Sequence, residues 1–370
     1  MTRQSKARGT VVTYSCRASR HHESATLREL ALRLAAIKGY EYAEEFDSAR
    51  RYLSPLYFVP NDTLVGVAAA RALGIRNEQD LFGGVVPFAF AATKAITHPL
   101  PDADSRSPEG WSPEFANRVC GLVLPGYSVF ATRDALIAGV RLLGLGRVRI
   151  KLPKGIGGLG QSVVDDEQAL DSLLQSLDDE VLLRDGLVLE LDLAKVVTHS
   201  VGQVCVGNMR ASYCGVQRLT TNHHNEQVYG GSDLVVVRGD FDRLTELALA
   251  REVESAIAQA RGYHTAALTS FRGMFASRCN YDIAQGIDNK GQWRSGVLEQ
   301  SWRMGGASAA EVAALEAFRA DATLDIVRAS TTEVYAAGSV PADAVVYFSG
   351  VDEHAGAMTK YVRIEPYANP

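Results

Sequence analysis

Lys151 ends a short β-branched run in VRIKLPKGIGGLGQ (148–161), and a second cation, Lys154, follows together with Gly155, Gly157, Gly158 and Gly160. Glycine adopts positive φ without steric cost and lets backbone N–H groups approach an anion closely. Successive N–H groups in such turns form concavities that suit phosphate oxygens. A strand, a lysine and a glycine loop therefore suggest a lid over a nucleoside triphosphate. The spacing is not G-x-x-x-x-G-K-[ST], so this is no Walker loop. Asp165, Asp166 and Glu167 also follow too soon for a dinucleotide fingerprint, whose acidic residue lies ~20 residues on.

A second group lies far downstream in GVLEQSWRMGGAS (296–308). Alternate residues of a strand face one way, which predicts Glu299, Ser301 and Arg303 on a common face. Upstream, NYDIAQGIDNKGQ carries Asp282, and Asp288-Asn289-Lys290-Gly291 reads as a hairpin turn. Two antiparallel strands joined there would bring Asp282 and Glu299 to one place. Paired carboxylates beside a triphosphate suit magnesium, which takes hard oxygen ligands and bridges protein to phosphate. Arg303 adds a planar, permanently charged fork for phosphate or carboxylate.

At these residues the chain resembles the ATP-grasp superfamily, over roughly Ala116 to Ala320. The resemblance implies an ATP site in which Lys151 and the Gly155–Gly160 loop through Gln161 hold phosphates, with Lys154 beside them. Lys94, in TKAITHPL, would be a second phosphate lysine. The segment Leu187–Leu193 resembles the adenine hinge, with Glu190 beside the base and backbone groups of Leu191 and Leu193 at its edge. Asp282 and Glu299 would hold Mg2+, and Glu299-Gln300-Ser301-Trp302-Arg303 stands where the superfamily has Glu-x-Asn-x-Arg, so Ser301 takes the place of an asparagine ligand. Arg303 would stabilise the transferring phosphoryl group. After the hinge, where an acid often holds ribose, stand His199 and Ser200. The whole chain is also similar to a bacterial family of ATP-grasp-like proteins of unassigned function, through FGGVVPF, TKAITHPL, VYGGSDL and SGVLEQSWR. The implied activity is an ATP-dependent carboxylate–amine or carboxylate–thiol ligase working through an acyl phosphate. A small-molecule kinase on the same scaffold and a non-catalytic nucleotide- or partner-binding protein are the alternatives.

The elements that must position these groups read as α/β, or α+β: an N-terminal α/β unit (1–115), a central flap unit (116–195) and a C-terminal unit with the metal carboxylates (196–370). A strand is predicted over 10–15, a helix over 24–38 closed by Gly39, and a helix over 63–73 capped by Asp62. FGGVVPFAF (82–90) reads as a buried strand and 98–114 as a linker. A helix over 133–143, the flap strand 147–152, a helix opened by Asp165 or Asp166 and the hinge strand 187–192 complete the central unit. Beyond it come strands near 201–207 and 211–221, a long helix over 241–261, and a helix from the capping box Ser308–Glu311 to about Ala329. A strand at 344–350 precedes an irregular finish. His21-His22 and His223-His224 read as loop residues, since adjacent side chains face apart.

Hydrophobic residues make up 46% and charged residues 22% of 370, as in globular proteins. That length suits two or three subdomains. A net charge of -5 argues against non-specific nucleic-acid binding, which runs on clustered cations. No apolar run reaches the ~20 residues of a membrane span. The N-terminus lacks a secretory core, and five scattered cysteines without a C-x-x-C pair suit reduced thiols. The expectation is a cytoplasmic protein acting on small molecules, a homodimer being the commonest assembly of such oligomers.

Overall fold

The computed structural model describes residues 8–153, 160–336 and 340–367. β1 (Thr10–Tyr14), β2 (Glu41–Glu45) and β3 (Leu56–Pro60) form a parallel sheet in the order β2-β1-β3. α1 (His21–Lys38) covers it, burying Leu27, Leu30, Leu34 and Ile37 at helical spacing. Gly39 ends α1 at φ 67°, where any Cβ would be penalised. The helix starts three residues before the sequence suggests, with His21-His22 inside it, because Asp352 from the far end of the chain accepts the His22 N–H at 3.1 Å.

The helix predicted over 63–73 shortens to α2 (Val67–Ala72), since β4 (Leu64–Val65) pairs in parallel with β5 (Gly84–Val86). The strand predicted over 82–90 survives only as β5, and 3-10 turns at Ala89–Ala92 and Lys94–Ile96 follow. Residues 98–114 are tied to their neighbours at several points, although 103–110 are largely exposed: His98 is fully buried, Pro99 accepts the Ser128 N–H, and Asp134 accepts the Arg106 N–H. α3 (Pro113–Val119) closes this segment, capped by Ser112.

The flap sheet follows. β6 (Gly126–Val129), α4 (Thr132–Leu143), β7 (Val148–Lys151), β8 (Gln161–Val164), α5 (Glu167–Gln175), α6 (Asp179–Asp185) and β9 (Leu187–Leu191) give four antiparallel strands in the order β6-β9-β7-β8. Asp166 caps α5 by accepting the Ala169 N–H. Leu142, Ile150, Leu170 and Leu189 fill the space between sheet and helices.

An eight-stranded sheet is the scaffold of the second half. β10 (Ala194–Val206), β11 (Met209–Thr221) and β12 (Gln227–Arg238) run as a meander. The single helix expected over 241–261 is two, α7 (Phe241–Leu244) and α8 (Arg251–Ser270). β13 (Phe275–Ala276) joins β4 and β5, and β14 (Arg278–Ile287) with β15 (Trp293–Ser301) forms the expected hairpin. α9 (Ser308–Ala320), β16 (Ile326–Val334), β17 (Val345–Asp352) and β18 (Gly356–Pro366) complete the order β15-β14-β10-β11-β12-β16-β18-β17. α9 stops well before Ala329 because the Arg238 guanidinium collects the carbonyls of Phe318, Asp321 and Leu324. Nor does Ser308–Glu311 act as a capping box: Glu311 is fully buried against Arg278 instead. α8 lies on one face of the sheet, α9 and α1 on the other.

The edge strand β15 is not left open. Val297 donates its N–H to Leu122 at 2.8 Å, and Val123 bridges Val297 in parallel. Gly296 makes this possible, since a Cβ there would lie 2.4 Å from the Leu124 nitrogen. Among the described residues no helix is long and apolar enough to cross a membrane, and all five cysteines are free.

His264 packs against Tyr281, its Nδ1 2.8 Å from the hydroxyl. Burial, helped by the Arg210 charge, pushes this imidazole down to about 4. The neutral ring is thus favoured in the folded state; its contribution is complete above the ordinary value near 6.5 and is lost as pH falls towards 4. Stability in urea should drop on the order of 1–2 kcal/mol more between pH 7 and 4.5 in the wild type than in His264→Gln. Equal drops would refute the assignment.

Candidate active site

A cleft of about 760 Å³ is lined by Lys94, Lys151, Asp282, Glu299, Arg303 and parts of α1, β11, β12 and β16. The β14–β15 turn is built as the sequence suggests: Asp288 accepts the N–H groups of Lys290 and Gln292, both at 2.9 Å, and Gly291 has φ 75°. The resulting register runs to Ile283 opposite Val297, and a bulge just beyond shifts it by one residue and sets Asp282 directly opposite Glu299. Gln217 and Ser200 donate to Asp282 Oδ1 at 2.8 and 3.2 Å, and the Asn280 amide lies 2.7 Å from the same oxygen. Burial, then repulsion from Glu299, pushes Asp282 up to about 6. Burial would raise Glu299 too, but Lys94, Lys151 and Arg303 outweigh it and hold this carboxyl below the ordinary glutamate value. Glu299 sits deep among protein atoms, yet 41% of its side-chain surface faces the cleft.

The structure brings both lysines to this place. Lys94, only 7% exposed on its short 3-10 turn, puts Nζ 2.9 Å from Glu299 Oε2. Lys151 ends β7 and lies 2.5 Å from Glu190. Arg303 lines the cleft, but not as the third member of a strand face. β15 ends at Ser301 because the Arg278 guanidinium takes the carbonyls of Ser301 and Arg303 at 3.3 and 2.6 Å and turns the chain. Arg303 then points towards Asp62, 3.8 Å away, and donates to its neighbour Met304. The Ser301 hydroxyl lies 3.3 Å from the Arg278 guanidinium rather than beside the carboxylate pair.

The hinge differs most from expectation. Glu190 is not a free group beside a base: it is 1% exposed and held between Lys151 and His98, 2.5 and 3.2 Å away. Burial alone would raise its carboxyl, but Lys151 and the His98 hydrogen bond pull it down to about 2. Leu191 gives its N–H to the Pro125 carbonyl at 2.9 Å, so that donor is not available to a base edge. The Leu191 and Leu193 side chains pack with Leu124 and Ala284. Asp192, next to them, is buried under Arg147 and Arg149. Gly160 closes the β7–β8 hairpin at φ 72°, accepting the Leu152 N–H, and Gln161 accepts from Arg149 at 3.1 Å. Lys154, Gly155, Gly157 and Gly158 lie outside the described residues.

Sequence reasoning overlooked the neutral and buried groups around the carboxylates: Gln217, Asn280, Tyr213, Arg278 and Glu311. Asn280 alone had a local signal, since it stands two residues before Asp282 and so shares its strand face. Gln217 needs the three-strand register, and the ion pair of Arg278 with Glu311 spans 33 positions.

The donor set suits a hard cation. Among the described residues no three His, Cys, Asp or Glu groups cluster as a metal cage. Two carboxylates facing a phosphate-sized cleft fit an ion that takes its other ligands from phosphate and water, as Mg2+ does.

A family model described as "Protein of unknown function (DUF3182)" matches residues 11–362. The chain belongs to that family. Among solved structures, the DUF3182 chain is similar to a biotin carboxylase–β-γ-ATP complex from Campylobacter jejuni, with a TM-score of 0.53, 10% identity, and coverage of 98% of this chain and 88% of that one. It is also similar to a pyruvate carboxylase from Rhizobium etli with acetyl coenzyme-A, at a TM-score of 0.52 and 11% identity, covering 98% of this chain and 36% of that one. A D-alanine–D-alanine ligase from Bacillus anthracis aligns at a TM-score of 0.46 and 13% identity over 84% of this chain and 92% of that one. No curated protein matches the sequence. The likeness shows the fold: this DUF3182 protein has the ATP-grasp fold.

Proposed function

We propose that this protein binds ATP with Mg2+ in the cleft and activates a small-molecule carboxylate as an acyl phosphate, which an amine or thiol then attacks. The observation that carries this reading is the convergence of Lys94 and Lys151 with the opposed carboxylates Asp282 and Glu299 at one end of a single cleft. Phosphoryl transfer asks a protein for positioning and charge stabilisation more than for covalent chemistry.

Lys151 is fixed before any ligand arrives, because Glu190 pairs with its ammonium and the flap sheet holds its backbone. Lys94 is fixed by Glu299. Such preorganised cations lose little when they meet developing charge. Asp282 and Glu299 would hold Mg2+, which when bound neutralises phosphate oxygens. Arg303 is placed at the cleft wall to meet the phosphoryl group or the acceptor's carboxylate. Glu190 takes a role that sequence reasoning did not give it: it orients Lys151 and leaves the base to the surrounding backbone.

The test is a thermal shift on the full chain with ATP, ADP and GTP, each with and without Mg2+. A ligand at 100 times its Kd stabilises by about 2.7 kcal/mol, a rise of a few degrees for a chain of this size. The expected result is a shift selective for adenine nucleotides and larger with Mg2+. No shift with any nucleotide would overturn the proposal.

A further inference from the structure

The phenol of Tyr213 has two claimants for one proton. Its oxygen lies 2.6 Å from Glu311 Oε1 and 2.9 Å from the side-chain amide of Asn280. Glu311 is fully buried and takes N–H bonds from Arg278 Nε at 3.0 Å and Nη2 at 2.8 Å. It is therefore a carboxylate, which accepts and cannot donate. A phenol keeps its proton at neutral pH. Tyr213 must give its proton to Glu311, so the amide atom facing the phenol is the NH2 group, donating to the phenol oxygen. Oxygen and nitrogen of an amide are assigned by such partners, and this count reverses the assignment in which Asn280 nitrogen faces Asp282.

The Asn280 carbonyl oxygen then faces Asp282 Oδ1, 2.7 Å away. Two acceptor oxygens so close call for a shared proton or cation. The spacing is near the ~2.9 Å edge of an octahedron whose metal–oxygen bonds are ~2.1 Å long, as for Mg2+. Asn280 also stands directly across the β14–β15 ladder from Ser301. Ser301 itself is poorly suited to a cation, since its hydroxyl lies 3.3 Å from the buried Arg278 guanidinium.

Building on the ATP and Mg2+ reading above, we propose that Asn280 Oδ1, from the neighbouring strand, is the amide oxygen of the cation site beside Asp282 and Glu299, and that Ser301 is not a ligand. The amide is presented by a buried row: Arg278 fixes Glu311, Glu311 fixes the Tyr213 proton, and Tyr213 fixes the amide. Gly202 leaves room for this row, since a Cβ there would lie 2.3 Å from the Tyr213 oxygen.

The probe is Mn2+, titrated by electron paramagnetic resonance into the full chain with ATP, for wild type, Asn280→Ala, Asn280→Asp, Ser301→Ala and Glu299→Gln. ATP binding in EDTA provides the metal-free control. Asn280→Ala should weaken Mn2+ at least about tenfold, the scale seen for residues around metal sites. Asn280→Asp, which keeps an oxygen there, should match or exceed the wild type, and Ser301→Ala should stay within about twofold. None of the three should change ATP binding in EDTA. Wild-type Mn2+ affinity in Asn280→Ala, or a tenfold loss in Ser301→Ala, overturns the inference; if Glu299→Gln still loses Mn2+, the wider reading stands alone. A wild type that binds no Mn2+ with ATP overturns both.

Discussion

Changing Glu299 to glutamine should lower ATP turnover by about 10³-fold, the scale on which one preorganised electrostatic group acts at a transition state. The substitution keeps shape and removes charge from the edge strand at the point where Asp282 faces it. It has a second effect that separates this site from a simple surface ion pair. Lys94 is only 7% exposed and loses one ion-pair contact, at 2.9 Å, and weakening the pairing of a buried cation is costly. The variant should therefore melt somewhat lower than the wild type. It should still bind ATP in EDTA, because the substitution removes none of the cations, Lys94, Lys151 and Arg303, that line the cleft. Phosphate release, melting temperature and metal-free ATP affinity check the three effects. Undiminished turnover would remove Glu299 from the chemistry.

Arg278→Met should cost about 3–5 kcal/mol of stability, the usual penalty for removing one partner of a buried ion pair. Arg278 and Glu311 are 1% and 0% exposed in their side chains, so Glu311 would be left charged and dry. The same guanidinium holds the carbonyls of Ser301 and Arg303, so the end of β15 should loosen as well. Pairing Arg278→Met with Glu311→Leu should regain much of the loss, because an apolar pair of similar volume replaces a buried ion pair at little cost. Urea unfolding of the single and double variants checks this. A loss under 1 kcal/mol in the single variant would show that water reaches Glu311.

What could be read from residues alone was local. The β14–β15 hairpin follows from Asp288-Asn289-Lys290-Gly291 between alternating runs, and its register holds as far as Ile283 against Val297; the one-residue bulge beyond, which no local signal announces, then sets Asp282 against Glu299. Gly39 as a helix stop and Asp166 as a cap are equally local. The misreadings come from partners distant in sequence. The alanine-rich run after Ser308 reads as a long helix, but Asp321, Thr323 and the β-branched Ile326-Val327 weaken it, and Arg238, some eighty positions away, collects the carbonyls where it ends. Glu311 has the spacing of a capping-box acid, but Arg278 claims it. Glu190 looked like an open hinge residue because neither Lys151 nor His98 is near it in sequence. Asn280 and Gln217 were passed over because a neutral amide has no motif; its role depends on which oxygen it faces.

The flap sheet is joined to the rest of the molecule by two chain crossings, one arriving along 122–126 and one leaving along 191–194. They are fastened to each other where the Leu191 N–H meets the Pro125 carbonyl. The arriving strand is also stitched to Val297, two positions from Glu299. Residues 98–106 add a third attachment, with His98 on Glu190, the Pro99 carbonyl on the Ser128 N–H and the Arg106 N–H on Asp134. With both crossings and this brace in place, Lys151 and its partner Glu190 are presented to the carboxylates as parts of one framework rather than as a loose cover.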